Sequence, residues 1–257
     1  MARTLQGLFF DFDGTIAETE RYGQRVAYNR AFADLKLDWN WDEDLYADLL
    51  SVAGGKERIR YFLARYRPEL LVDAITSGLI EEIHKAKIRN FASIAPTLPF
   101  RPGLLRLVRE ASAAKVRVAI ATTASLAGVE ALLCQDATLP SMIDLIAANE
   151  DVVRKKPAPD VYCWALEVLG LDPARCFAIE DSNVGLRAAL SAGLPSVITV
   201  SDYTSDDDFA GALSVVSSLG ERDKPLRPIA GEVPANGIID LDFFETLLRR
   251  PATSTKH

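Results

Sequence analysis

Residues 7–11 (GLFFD), 115–123 (KVRVAIATT), 142–148 (MIDLIAA), 175–181 (RCFAIED) and 195–200 (PSVITV) are short apolar runs in which polar and apolar positions do not alternate. Runs of this kind predict strands buried on both faces, a condition met inside a parallel sheet. Between them the chain carries helical periodicity: PGLLRLVREASAAK, with Pro102 suited to a first helical turn, PDVYCWALEVLGL, and NVGLRAALSAGL, stopped by Gly193. Strand and helix therefore alternate from about Ile94 onward. That alternation implies right-handed crossovers, which cover both faces of a doubly wound sheet.

Residues 17–91 break the rhythm. RYGQRVAYNRAFADL, DEDLYADLLSV, KERIRYFLARY and PELLVDAITSGLIEEIHKAKI space their apolar positions three and four apart, and none reads as a strand. The predicted class is α/β: a doubly wound, mostly parallel, Rossmann-like sheet with an inserted α-helical cap domain. Residues 1–16 supply the first strand, 17–92 the cap, and 93–257 the remaining core with a C-terminal extension. Linkers are expected at Ile16–Thr19 and Ala92–Pro96. In the extension, SDYTSDDDFAGA predicts a solvated loop or helix start, PANGIIDLDFFETLLRR a strand and a closing helix, and PATSTKH a disordered end.

Composition narrows the partners. With 29 basic against 36 acidic residues the net charge is −7, which speaks against nucleic acid and anionic membranes, since both select clustered Lys and Arg. No apolar run approaches the ~20 residues that span a bilayer, and the N-terminus reaches Asp11 before a secretory apolar region forms. The expectation is a cytoplasmic monomer. Cys134, Cys163 and Cys176 show no CxxC spacing and are expected as small buried side chains in a reducing compartment.

Ligands gather at the carboxyl ends of the strands in open α/β sheets. Here the first strand ends in Asp11 and Asp13, and the second in Thr122 and Thr123. The third leads to Asn149, Glu150 and then Lys155 and Lys156, while the fourth ends in Glu180 and Asp181. Several carboxylates in one crevice repel each other unless a hard cation offsets them. Oxygen ligands without His or Cys select Mg²⁺ over zinc. Asp11, Asp13 and Asp181 form the expected ligand set, with Glu180 as an additional acceptor.

Asp11-Phe12-Asp13-Gly14-Thr15, Thr122 after an apolar strand, Lys156-Pro157, and Glu180-Asp181-Ser182-Asn183 carry a resemblance to the haloacid-dehalogenase-like phosphohydrolases, which covers nearly the whole chain. The resemblance implies that Asp11 is a nucleophile forming an aspartyl-phosphate, and that Asp13 protonates the leaving oxygen and then activates water. It also implies that Lys156 and Thr122 hold the phosphate, with Mg²⁺ as cofactor. Lys156 is preferred to Lys155 because the family lysine directly precedes proline. The dehalogenase branch normally lacks the second acid, so Asp13 favours phosphoryl chemistry.

DFDGTIAETE, GGKERI, ATTAS, KKPAPDVY, IEDSNVGLRAA and SDYTSDDDF together resemble the CbbY-type sugar-bisphosphate phosphatases associated with carbon fixation. That resemblance implies a small phosphorylated sugar as partner, xylulose 1,5-bisphosphate converted to xylulose 5-phosphate. Glu18, Lys56, Arg58 and Thr123 are then the substrate-binding candidates, with Gly54 and Gly55 presenting Lys56 at a helix start. Two other readings stay open: a β-phosphoglucomutase-like sugar-phosphate mutase, and a non-catalytic phosphate-responsive binding module. Many relatives carry a histidine twelve residues after the nucleophile, where this chain has Gly23, and its absence weighs against the mutase. A glycine inside a helix costs about 1 kcal/mol relative to alanine, so either the helix there is irregular or a neighbour needs the space. His84 and His257, the only histidines, are expected at the surface of a cap helix and at the terminus, outside the chemistry.

Overall fold

In the computed structural model, which describes residues 4–52 and 54–249, Gly7–Phe10 forms β1 with all four residues buried. A tight turn and a wide π-helical turn at Glu20–Gln24 then lead into five helices: α1 (Arg25–Asp34), α2 (Glu43–Leu49), α3 (Gly55–Tyr66), α4 (Leu71–Thr76) and α5 (Leu79–Ile94). The core resumes with α6 (Leu104–Ala113), β2 (Arg117–Ala121), α7 (Leu126–Leu133), β3 (Leu145–Ala147), α8 (Asp160–Leu169) and β4 (Cys176–Glu180). It closes with α9 (Asn183–Ser191), β5 (Ser196–Thr199), β6 (Ser214–Val216), β7 (Pro228–Gly231) and α10 (Leu241–Leu248). The strands make one sheet in the order β3-β2-β1-β4-β5-β6-β7, parallel except for β7. Because β1 lies between β2 and β4, the winding reverses at its carboxyl end and opens a crevice there.

Side-chain size alternates across the sheet. Leu8, Phe10, Val118, Ile120, Phe177 and Ile179 face one layer, where they pack against α6, α7 and α10. Phe9, Ala119, Ala121, Cys176 and Ala178 face the other, where the small residues let α8 and α9 approach closely. The central strands are thus apolar on both faces through their middle positions, as burial on both sides demands.

The helices between β1 and α6 build a core of their own from Tyr28, Phe32, Trp41, Tyr46, Ile59, Phe62 and neighbours. Trp41 sits at its centre, 4.4 Å from the Tyr28 ring and 5.0 Å from that of Phe32. Fully burying one such side chain contributes about 1.5–3 kcal/mol. The insert touches the core through the loop after β5: Arg21 Nη1 lies 3.1 Å from Asp202 Oδ2, and Tyr203 packs on Tyr46 with ring centroids 6.0 Å apart.

Several expectations are corrected. The sheet has seven strands rather than five. β6 is buried but only three residues long, too short to stand out as a run, and all of β7 is exposed. The strand expected at the start of PANGIIDLDFF is irregular chain that ends at Asp240, whose carboxylate accepts from the Phe243 amide at 2.8 Å and caps α10. The linker expected at Ala92–Pro96 falls largely within α5, because Phe91 and Ile94 are buried and continue that helix's apolar face. The crossing into the core comes later, where Phe100 pairs antiparallel with Ala17. Cys134 and Cys163 are exposed, and only Cys176 is buried. His84 is half-buried against the start of α3, and His257 with the PATSTKH end lies outside the described residues. At Gly23 both alternatives hold: the helix is irregular, and a Cβ there would lie 2.8 Å from Leu98 Cδ1 and from Phe91 Cε2.

Candidate active site

Asp11 leaves β1 while its amide still donates to the Ile179 carbonyl of β4, which places its carboxylate at the crevice. Glu180 ends β4 and Asp181 follows it. Lys156, from the loop before α8, donates to Asp11 Oδ1 (2.7 Å), Glu180 Oε1 (2.6 Å) and the Ala121 carbonyl (2.8 Å). Tyr162 on α8 donates to the same Glu180 oxygen. Thr122 follows β2 and is buried, its Oγ1 accepting from the Ala124 amide at 2.9 Å. Thr123 is half-buried beside it. Lys155 points elsewhere, to Asn149 Oδ1.

Carboxylate oxygens of Asp11, Glu180 and Asp181 all lie within 4.8 Å of one another. Burial pushes the Asp11 carboxyl up to about 8 against the pull of Lys156, and Glu180 adds to the rise. Asp181 is raised well above the usual carboxylate range, first by burial and then by Asp11 and Glu180. Burial opposes the Lys156 charge, but its two carboxylate partners outweigh that and raise it well above its usual value. One ammonium against three carboxylates leaves two charges unbalanced, which a divalent cation matches. The donors are oxygen only, as Mg²⁺ prefers. Gly14, at φ 82°, gives this cluster room: a Cβ there would lie 2.1 Å from Asp181 Oδ2.

The carboxylate of Asp13, also expected among the ligands, lies outside this cluster of side-chain oxygens. Its Oδ1 accepts instead from Thr19 Oγ1 and from Gln24 Nε2 (2.9 Å), because the turn after β1 folds back on itself through the Asp13–Ala17 bridge. It remains beside Asp11, whose charge it influences.

The cap candidates divide. Arg58 is largely covered, its side chain 11% exposed; it donates to Tyr46 Oη at 2.9 Å and lies 3.7 Å from Glu20. Lys56 instead sits on the cap surface, where it shares Glu81 with Arg60. Glu18 lies at the hinge, 3.3 Å from Arg101 Nη1, on the wall of a cleft of about 870 Å³ that also meets Ser201 and Lys224. Burial raises its carboxyl, with Arg101 pulling it down.

Sequence reasoning missed Thr19, Gln24, Tyr162 and Lys87. Lys87 had a legible signal: it interrupts the apolar stripe Ile80, Ile83, Phe91, Ile94 of α5. Its ammonium lies 5.4 Å from the Tyr28 ring and 5.5 Å from that of Phe91. Burial lowers its pKa to about 8, with Asp13 and Glu20 pulling upward. Gln24 had the weaker signal of a polar residue next to the odd Gly23.

Comparison with known proteins agrees with this geometry. A family model described as haloacid dehalogenase-like hydrolase matches residues 5–193. Protein CbbY of Cupriavidus necator is 43% identical over 234 residues, covering 90% of this chain and 91% of that protein. The crystal structure of CbbY from Rhodobacter sphaeroides in complex with phosphate matches with a TM-score of 0.75 at 40% identity, over 83% of this chain and 94% of that one. A mutant of the same protein in complex with xylulose-(1,5)bisphosphate matches at 0.76 and 39%, over 85% and 96%. Among the described residues no helix is long and apolar enough to cross a membrane. The chain belongs to the haloacid dehalogenase-like hydrolases and is a phosphoric monoester hydrolase.

Proposed function

We propose that this hydrolase removes one phosphate from a small phosphorylated sugar, xylulose 1,5-bisphosphate, giving xylulose 5-phosphate, and that Asp11 is its nucleophile. The observation that carries the reading is the pair of acids on one turn. Asp11 faces Lys156 and the Glu180–Asp181 edge, while Asp13, two residues on, is held apart by Thr19 and Gln24. Two carboxylates in two environments suit two roles. The R. sphaeroides complex with xylulose-(1,5)bisphosphate supports the substrate.

An Asp11 oxygen attacks phosphorus, and the bond to the sugar oxygen breaks. Asp13 gives its proton to that oxygen, then takes one from the water that hydrolyses the aspartyl-phosphate. Lys156 pulls the buried Asp11 carboxyl back toward its anionic form and holds it close to the incoming phosphate, and Thr122 offers its hydroxyl to a phosphate oxygen. Asp11 and Asp181, with Glu180 behind them, would hold Mg²⁺, which supplies the positive charge that a transferring phosphoryl group needs. Arg58 and Lys87 are the partly buried cap cations that suit the second phosphate, and Lys56, near His84 at the start of α3, is a third cation that can reach it.

Phosphate release from xylulose 1,5-bisphosphate with Mg²⁺ present tests the reading. Wild-type turnover with loss of nearly all activity in Asp11→Asn is the expected result. Activity of Asp11→Asn near that of the wild type would overturn it.

A further inference from the structure

We propose that Gln24 is the positioning residue that aims Asp13 at the leaving oxygen, and that its carbonyl oxygen receives the substrate hydroxyl on C3, close to the ester being broken. The proposal rests on the phosphatase reading above.

Gln24 closes the π-helical turn Glu20–Gln24 and is only 4% exposed. Its Nε2 donates to Asp13 Oδ1 at 2.9 Å, and Thr19 Oγ1 donates to the same oxygen. Two donors fill Oδ1. Among the described residues no hydrogen bond reaches Oδ2, so Oδ2 is the oxygen left to carry the proton. In the first step the Oδ2–H bond breaks and the proton joins the sugar oxygen. That oxygen keeps the electron pair of the broken phosphorus–oxygen bond, while an Asp11 oxygen bonds to phosphorus.

The other end of the same amide has no partner: Gln24 Oε1 is buried and accepts nothing. Buried polar atoms without partners are few in native proteins and call for an explanation. Reversing the amide does not resolve it, because Oε1 would then face the Asp13 carboxylate, acceptor against acceptor. A donor from outside the chain is what is missing, and it must enter beside Asp13. The C3 hydroxyl of xylulose 1,5-bisphosphate, one carbon beyond the C2 carbonyl, is such a donor. No other side chain takes this place: position 23 is glycine, its Cβ space filled by Leu98 and Phe91, and His84 packs against Gly55. A widened turn moves Gln24 into reach without disturbing that packing.

The experiment compares kcat/KM for three esters in full-length wild type, Gln24→Met and Thr19→Val. Xylulose 1,5-bisphosphate has both an alkoxide leaving group and a hydroxyl on C3, one carbon beyond the C2 carbonyl. Propyl phosphate has the alkoxide alone, and p-nitrophenyl phosphate leaves without needing a proton. General acid catalysis contributes about 10²–10⁴-fold, so Gln24→Met should lose about 100-fold on propyl phosphate and less than about 5-fold on the aryl ester. On the sugar ester its loss should exceed that on propyl phosphate by about 10-fold, because the Oε1 contact goes too. Thr19→Val should share the alkyl-over-aryl loss without the extra sugar loss, and it stands in if Gln24→Met does not fold. Equal losses on all three esters, or none, overturn the positioning role. Equal losses on sugar and propyl esters overturn the hydroxyl contact. A wild type that releases phosphate from none of them overturns the phosphatase reading itself.

Discussion

The ammonium of Lys156 lies 2.7 Å from Oδ1 of Asp11, across 145 positions of sequence. It is the only cation hydrogen-bonded to a group of three buried carboxylates among the described residues. Removing one partner of a buried ion pair typically costs about 3–5 kcal/mol. Lys156→Met should therefore unfold at markedly lower urea in EDTA, and Mg²⁺ should recover part of the difference. Phosphate release should fall at least ~100-fold, the usual scale for losing one electrostatic partner of a reacting group. An unchanged urea midpoint in EDTA would sink this account.

Lys87 predicts a pH dependence. Its folded pKa, about 8, lies below the usual lysine value, so the folded state sheds this proton first. Between about 8 and 10.5 the unfolded chain binds the extra proton, and this group's contribution makes stability rise with pH. Substrate binding runs the other way: above pH 8 the cap loses a cation, and KM for a bisphosphate should climb. Lys87→Met should show a high, flat KM across that range, whereas Lys87→Arg should stay low. Initial-rate kinetics from pH 6.5 to 9.5 would decide.

Arg101 is a buried clamp. Its guanidinium donates to the carbonyls of Gly14, Thr199 (3.0 Å), Val200 (2.6 Å) and Ser217 (2.7 Å), tying the catalytic turn to the ends of β5 and β6. Hydrogen bonds from charged groups contribute about 1.5–3 kcal/mol each, without full additivity. Arg101→Met should lose about 3–5 kcal/mol in chemical denaturation. A loss under about 1 kcal/mol would mean the carbonyls find other donors.

At Gly23, alanine should gain about 1 kcal/mol of helix propensity. Its Cβ, however, would press into Leu98 and Phe91, both buried. Overpacking of this kind costs about 1–3 kcal/mol. Gly23→Ala should thus be destabilising by up to about 2 kcal/mol, and a stabilised variant would show that the two side chains yield.

The fold was legible wherever burial on both faces forced unbroken apolar runs, as in β1, β2, β4 and β5. It was not legible at β7, where Pro228–Gly231 is exposed at every position and pairing is set by its neighbour alone. The nucleophile edge was readable because Asp11, Thr122, Lys156 and Asp181 each follow a strand or its loop. Where the Asp13 carboxylate goes was not legible, because sequence shows proximity along the chain and not the turn that takes it to Thr19 and Gln24. Lys56 and Arg58 are two residues apart on one helix, and the rotation between them leaves the Lys56 side chain 41% exposed and that of Arg58 11%. Gln24 owes its position to one π-helical turn, which no periodicity announces.

Ala17 pairs with Phe100, so the chain leaves the core and returns to it at adjoining points. An insert whose ends already meet places little demand on the body that carries it, since closing a loop costs only about 0.6 kcal/mol more for each doubling of its length. The socket is therefore indifferent to what is plugged into it. The segment between residues 17 and 100 can be exchanged as a cassette while the acids at the sheet edge stay as they are.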